Sequence, residues 1–270
     1  MRSGKQENIP YSLSRWTDLP FGKWAWFKQQ LAQGWMIAFD TRTAMPAKWS
    51  LKPEGTLGLI FWTKNPTNLL KDRDLLRPYP LVVHMTLTGW HEAEPGVPTL
   101  EAGCVLLRAL SKAFGPEDVV WRFSPIPQLS VAEVVDRFQT IAWAAHEAGL
   151  KQVYAAFLQE NDTLPETRTQ DERRAILEAL TACANAFGLT LFLCQDDTDT
   201  PGAKLGICED GTRFGTTPET IDCGCTHAVD PFTTNEACAY SCKYCYVRFG
   251  KYTDDLSRIN KEVNVYNECY

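Results

Sequence analysis

The chemistry-bearing residues of this chain gather near its C-terminus, where Cys238-Ala-Tyr-Ser-Cys242-Lys-Tyr-Cys245 sets three cysteines at C-x3-C-x2-C spacing, with Tyr244 directly before the last. Three thiolates on one tight loop can hold three irons of a 4Fe-4S cube and leave the fourth iron open. An open iron can bind a small molecule through that molecule's own amine and carboxylate. The competing assignment is a structural zinc site completed by a distant ligand such as Cys269 or His227. Zinc sites usually pair two C-x2-C hooks or add histidines, so a lone triplet at this spacing fits zinc poorly.

A second group is Cys194, Cys208, Cys223 and Cys225. Cys194 is expected at a strand end and Cys208 in a loop. The Cys223-Gly224-Cys225 hairpin is compact, and a glycine between ligands lets the backbone wrap close to a metal. Four thiolates complete one coordination sphere, so a second, auxiliary 4Fe-4S cluster is expected there. A four-cysteine zinc site, or a buried Cys194 with no role, are the alternatives. Seven of the ten cysteines lie from Cys208 to Cys269. Disulfides are rare in the cytosol, so metal binding is the leading explanation of that clustering. Cys104 and Cys183 sit among Ala and Leu in helical patterns and read as small core residues. Cys269 reads as a tail thiol.

The elements that must position these residues alternate along the first 195 positions. Strands are expected at Ile9–Arg15, Trp35–Asp40, Leu57–Thr63, Leu81–Thr88, Asp118–Ser124, Gln152–Gln159 and Leu189–Gln195. Helices are expected at about 22–33, 66–73, 98–114, 130–148 and 168–187, the fourth opening on the capping box Ser130-Val-Ala-Glu133. Gly34, Gly149 and Gly188 follow three of them, as glycine does past a helix end. Such alternation implies βα units and a parallel sheet. With no dinucleotide glycine fingerprint, the pattern fits a complete or partial (β/α) TIM-type barrel, spanning 1–195 and completed by the cysteine-rich segment 196–270 as one compact domain. In that segment a strand is expected at Thr226–Asp230 and a helix at about 252–264.

Period-2 alternation sorts the strand faces. Val82, His84, Thr86 and Thr88 oppose Leu81, Val83, Met85 and Leu87; Asp118, Val120, Arg122 and Ser124 oppose Val119, Trp121 and Phe123. A polar strand face points to a lumen that holds ligand, with the chemistry at the strands' C-terminal ends. Arg15, Lys64 and Arg122 lie at such ends and could hold a carboxylate or another anionic group. The alternative is an ion pair with Asp18 or another lumen acid. His84 faces the lumen and reads as a satisfied core histidine; Trp16, Trp24, Trp26, Trp35 and Trp49 read as packing residues.

The net charge is −6, which counts against non-specific attraction to nucleic acid and favours a small, polar substrate. No apolar run approaches the ~20 residues of a membrane span. A polar Met1–Pro10 lacks a signal-peptide core, so a cytoplasmic location is expected.

The three-cysteine loop resembles the signature of radical SAM enzymes, including the Tyr-Cys ending. In that superfamily strand, cysteine loop and helix open the barrel; here the unit comes last, so the resemblance implies a circularly permuted barrel. The whole chain also resembles a bacterial family catalogued as domain of unknown function 1848. The matching pieces are Ser14-Arg15 with Thr17-Asp18-Leu19-Pro20, Phe61-Trp62-Thr63-Lys64-Asn65-Pro66, Thr86-Leu87-Thr88-Gly89, Glu94-Pro95 with Val97-Pro98, Trp121-Arg122, Pro125-Ile126, Cys223-Gly224-Cys225 and the Cys238–Tyr246 loop. Ser124 and Gln195 stand where that family's pattern carries acidic residues, departures that bear on a polar pocket contact.

The resemblance implies reductive cleavage of S-adenosylmethionine (SAM) on the Cys238/Cys242/Cys245 cluster, hydrogen abstraction from a small substrate, and an external electron donor such as a flavodoxin or ferredoxin. It also implies Tyr244 packed against the SAM adenine, with Arg15, Lys64 and Arg122 as contacts to SAM or substrate. The auxiliary cluster would insert sulfur or accept an electron. A non-catalytic iron–sulfur or zinc-stabilised binding module is the alternative from another class.

Overall fold

The computed structural model describes residues 9–40, 43, 45–159, 163–194, 200–215, 220–221, 224–232, 238–245 and 247. The expectations for Cys223, Gln195, Cys269 and the helix at 252–264 lie outside them.

Among the described residues the strands are β1 (Tyr11–Leu13), β2 (Trp35–Asp40), β3 (Pro46–Ser50), β4 (Leu59–Thr63), β5 (Leu81–Thr86), β6 (Val119–Phe123), β7 (Gln152–Ala155), β8 (Thr190–Leu193), β9 (Lys204–Leu205) and β10 (Val229–Asp230). They form one sheet in the order β3-β2-β10-β1-β4-β5-β6-β7-β8-β9. From β10 to β9 every neighbouring pair is parallel; β2 joins β10 antiparallel and carries β3 as an antiparallel edge. The sheet is therefore large and mostly parallel, in an α/β fold. β10, the last strand among the described residues, lies beside β1, the first of them, with Val229 opposite Tyr11.

Helices α1 (Leu19–Gly22), α2 (Trp24–Gln33), α3 (Thr67–Lys71), α4 (Leu100–Phe114), α5 (Val131–Glu147) and α6 (Gln170–Ala186) connect the strands. Ser130 and Thr169 each close a capping box on Glu133 and Glu172, satisfying N-terminal amides that would otherwise be orphaned. Gly34 ends α2 at φ +78°, a left-handed conformation that only glycine adopts at little cost.

The two faces of the sheet differ as the alternation predicts. Leu81, Val83, Met85, Val119, Trp121 and Phe123 join Phe138, Ile141, Leu107 and Leu180 in the main core. Trp121, Phe123 and Phe138 meet at centroid distances of 4.8–5.9 Å. Truncating the Phe138 ring at this junction would cost about 3–5 kcal/mol. The opposite face carries a smaller cluster of Ile60, Val82, Val120 and Tyr154, with Trp62, Phe192, Cys208 and Phe214 packed on it.

Sequence patterning misses β3 and β9. β3 is Pro-Ala-Lys-Trp-Ser, a polar edge strand whose opening proline is tolerated because an edge leaves one side unpaired. Among the described residues no helix is long and apolar enough to cross a membrane.

Candidate iron–sulfur site

The carboxyl ends of β1, β4 and β5 open onto a cavity of about 140 Å³ lined by Cys238, Cys242 and Cys245 together with Arg15, Asp18, Trp62, Lys64, Thr86, Tyr240 and Tyr244. The three cysteines of the loop thus share one cavity with two of the three cationic residues expected at strand ends. Among the described residues no three His, Cys, Asp or Glu side chains converge on a point that would hold a single metal ion. Thiolates that each bind a separate iron of a cube need only surround it. Three sulfur donors lining one small cavity are compatible with that arrangement.

Polar contacts fix the loop on the sheet. Glu94, buried after β5, accepts from Lys64 Nζ at 2.6 Å, from Thr88 Oγ1 at 2.7 Å and from the Tyr244 hydroxyl. Tyr244 stacks on Trp90 at 5.7 Å and Tyr240 on Phe21 at 5.2 Å. The Lys243 amide donates to Ala93 O at 2.8 Å, and the Thr163 amide to Tyr244 O at 2.8 Å. One carboxylate so ties β4, β5 and the cysteine loop together.

Asp18 takes a different role from the ion-pair partner the sequence offered. It caps α1 through the Phe21 amide at 3.1 Å and accepts from Thr63 Oγ1 at 2.9 Å and the Lys64 amide at 2.7 Å. Its oxygens are used by neighbouring backbone and hydroxyl, so Lys64 reaches Glu94 instead. Burial pushes the Asp18 carboxyl up to about 6, against those hydrogen bonds.

Electrostatics around the loop nearly cancel. Burial is the largest influence on Lys64 and works against its charge, but Glu94, Cys242 and Asp18 together outweigh it and raise the ammonium's pKa. Burial pushes the Cys242 thiol up to about 12, with Lys64 opposing and Glu94 reinforcing the shift. Cys238 is also raised, by burial and then by Asp18.

The second group lies on the smaller face. Arg122, on β6, donates from Nη1 to Cys208 Sγ at 3.1 Å, and the Cys208 amide donates to Cys225 Sγ at 3.3 Å. The Arg122 guanidinium lies 5.0 Å from the Trp62 ring and 5.9 Å from the Tyr154 ring. Cys194 follows β8 and adds to the negative field at Arg122. A hydrogen bond from Cys225, then the charges of Arg122 and Arg15, hold the Cys208 thiol well below its ordinary range. Cys225 is raised in turn by its bond to Cys208 and by burial. Cys208, Cys225 and Arg122 are brought together; Cys223, the fourth expected ligand, lies outside the described residues.

Arg15 connects the regions. It lines the first cavity, while its Nε lies 3.5 Å from Glu209, the residue after Cys208. Asp230, at the end of β10, accepts from Ser14 Oγ at 2.6 Å and from the Arg15 amide at 2.9 Å. Burial pushes the Asp230 carboxyl up to about 6.

His84 corrects one expectation. It is buried, but among the described residues its Nδ1 has no hydrogen-bond partner. The ring stacks on Trp62 at 4.5 Å and meets the Tyr154 ring at 5.9 Å, and aromatic neighbours leave it without a conventional acceptor or donor there. Burial, then Arg122 and Arg213, keep it well below its ordinary pKa and hence neutral. Cys104 is buried in the main core and Cys183 packs on it, and Trp16, Trp24, Trp26 and Trp49 pack there too. Trp35 lies under the Lys48 ammonium at 4.0 Å. Glu94, Glu209 and Asp230 were missed as functional residues. Their sequence signals were slight: an acid shortly after a strand end, or directly after a cysteine.

A family model described as Domain of unknown function (DUF1848) matches residues 11–247. No curated protein matches the chain. Among solved structures, a Bacteroides thetaiotaomicron VPI-5482 protein described as an alpha-L-fucosidase is 11% identical over 82% of this chain and 84% of that one, with a TM-score of 0.25. At that TM-score the likeness carries no argument.

Proposed function

The chain belongs to the DUF1848 family, and we propose that it is a radical SAM-type enzyme acting on a small polar substrate in the cytoplasm. The observation that carries this reading is that Cys238, Cys242 and Cys245 line one cavity at the carboxyl ends of β1, β4 and β5. When bound, a 4Fe-4S cluster with SAM on its open iron supplies reductive cleavage of SAM and a radical that abstracts hydrogen. Electrons come from an external donor such as a flavodoxin or ferredoxin.

The chain's own residues bind, orient and shield. Each loop cysteine would hold one iron of such a cluster. Glu94 fixes the Lys64 ammonium and the Tyr244 hydroxyl, so Lys64 presents a positioned cation to a carboxylate in the cavity. Tyr244, braced by stacking on Trp90, lines the cavity where its ring could pack against the adenine. Arg15 is the contact on the far side, between the two cysteine groups. Cys194, Cys208, Cys223 and Cys225 are the proposed ligands of an auxiliary 4Fe-4S cluster facing the same lumen.

We read the parallel run from β10 to β9 as a complete or partial βα-barrel, circularly permuted. Two features support this. Helical residues from α2, α4, α5 and α6 all join the core on one sheet face, whereas a doubly wound sheet carries helices on both. The strand preceding the cysteine loop pairs beside the chain's first strand, as the opening unit of an unpermuted barrel would.

The test is anaerobic reconstitution followed by iron, sulfide and zinc analysis and a SAM cleavage assay under dithionite. About eight irons per chain and 5′-deoxyadenosine production are expected. Zinc in place of iron with no SAM cleavage would overturn the reading in favour of a metal-stabilised binding module.

A further inference from the structure

A second cavity lies at the amino-terminal ends of β5 and β6, opposite the cysteine loop, and the proposed reaction makes no use of it. It measures about 360 Å³, within the roughly 300–1,000 Å³ of small-molecule sites. Its cations are all arginine: Arg73, Arg77 and Arg213. Arg213 donates to Glu117 O at 2.8 Å and to Gln152 Oε1 at 3.1 Å. Both acceptors are neutral, so they aim the guanidinium without cancelling its charge. Arg77 meets Asp74 at 3.0 Å, but that pair is exposed and holds the charge loosely. Three guanidinium groups against the one carboxylate in the cavity wall, Asp118, leave the wall with two positive charges. Cations so gathered repel one another, and a dianion among them relieves the repulsion. Flat apolar surfaces stand beside the arginines. Tyr79 is pinned through its hydroxyl, which donates to Leu51 O at 2.7 Å. Phe214 is wedged over Gly58, where an added Cβ would stand 2.5 Å from the ring, and it packs on the cluster of Ile60, Val82, Val120 and Tyr154.

We propose that this cavity binds a nucleoside monophosphate, with the phosphate on the arginines and the base against the rings. A phosphate monoester carries about −1.5 to −2 charge near pH 7, which matches the wall. The planar guanidinium fork fits phosphate oxygens two at a time, which an ammonium does not. Aromatic faces accept a base by stacking and tolerate any base, because every base has a π-face. The first cavity opens at the carboxyl ends of the strands, so the two sites lie at opposite ends of the sheet. Phe214 separates the second cavity from the smaller sheet face, and Arg213 and Phe214 belong to the short helical turn Gly211–Phe214 that follows Cys208 and Glu209. A ligand held by these two side chains therefore braces that segment from outside the catalytic cavity. The inference is independent of the iron–sulfur reading.

The experiment is calorimetric titration of the full chain with AMP, GMP, CMP and UMP, and with adenosine and inorganic phosphate as controls. At least one monophosphate is expected to bind, about tenfold or more tighter than adenosine or phosphate alone, and to weaken as salt screens the arginines. Arg213→Gln should weaken that binding by about tenfold or more, and Arg213→Lys by less, since it keeps the charge and loses the fork. Replacing the exposed Arg73 and Arg77 together by Gln should weaken it as well. Circular dichroism and melting temperature report whether each variant is folded; should Arg213→Gln unfold, the exposed double variant decides. Binding that survives every arginine replacement, or that SAM displaces, belongs to another site and overturns the inference. Adenosine or inorganic phosphate binding as tightly as the monophosphate overturns it too, because the site would then read only the base or only an anion. So does the failure of all four monophosphates to bind at millimolar concentration.

Discussion

Around Cys242 a lysine and a glutamate meet at 2.6 Å, and the same glutamate holds the tyrosine of the cysteine loop. Around Cys208 an arginine donates directly to sulfur at 3.1 Å, with no carboxylate paired to it among the described residues. Both regions bury thiols at strand ends of one sheet. The first spends its cation on a carboxylate and so gains a rigid, nearly neutral frame. The second leaves its cation facing sulfur. Holding a loop in place and setting positive charge against a thiol thus fall to different residues, with Trp62 and Arg15 lying between the two regions.

Breaking each region separately gives the largest expected effects. Replacing Cys238, Cys242 and Cys245 together by Ala should abolish SAM cleavage and remove about four irons per chain while the rest stay bound. Undiminished 5′-deoxyadenosine yield in that variant would sink the assignment of the loop. Replacing Cys208 and Cys225 by Ala should do the converse: SAM cleavage persists, about four irons are lost and product formation stops. If both activities and the melting temperature fall together, the second group is a structural clamp.

The neutralised frame of the first region is tested by its carboxylate. Glu94→Ala strands the Lys64 ammonium and the Tyr244 and Thr88 hydroxyls, and should cost about 3–5 kcal/mol in chemical denaturation of the metal-free chain. Glu209→Ala, which loosens a longer contact to an Arg15 side chain 31% exposed, should cost about 1 kcal/mol or less. Equal costs would erase the contrast between the two anchors.

A pH-dependent effect is set at the junction. Asp230 titrates near 6 in the folded chain, above its ordinary 3.8, because burial disfavours its charge. The folded state therefore binds the proton more tightly, and this stabilisation, complete below the ordinary value, is lost as pH rises through about 6. Relative to Asp230→Asn, the wild-type chain should be about 2 kcal/mol less favoured at pH 7.5 than at pH 4.5. A difference independent of pH would show that the buried carboxyl does not shift.

Much of the fold was legible because its signals are local. The alternation through 81–88 and 118–124 sorted Val83, Met85, Trp121 and Phe123 into the main core and set Val82 and Val120 on the opposite face. The capping box at Ser130 opened α5 where expected. The spacing of Cys238, Cys242 and Cys245 marked the candidate site before any geometry was known. The polar edge strand β3 and the two-residue β9 carry no such period, and neither was read.

By itself, then, the sequence determined the alternating elements, the face each strand residue takes and the three sulfur donors held on one short loop. These follow from backbone periodicity and covalent spacing, which do not depend on the rest of the chain. Only the tertiary structure decided which charges meet. Asp18 lies near Arg15 in sequence, yet its oxygens are taken by a helix amide and by Thr63, so Lys64 pairs with Glu94, and Arg122 finds Cys208 across 86 positions. Parallel pairing brings the carboxyl ends of distant strands to one edge of the sheet, and long side chains there choose partners by three-dimensional proximity and by what burial leaves unpaired.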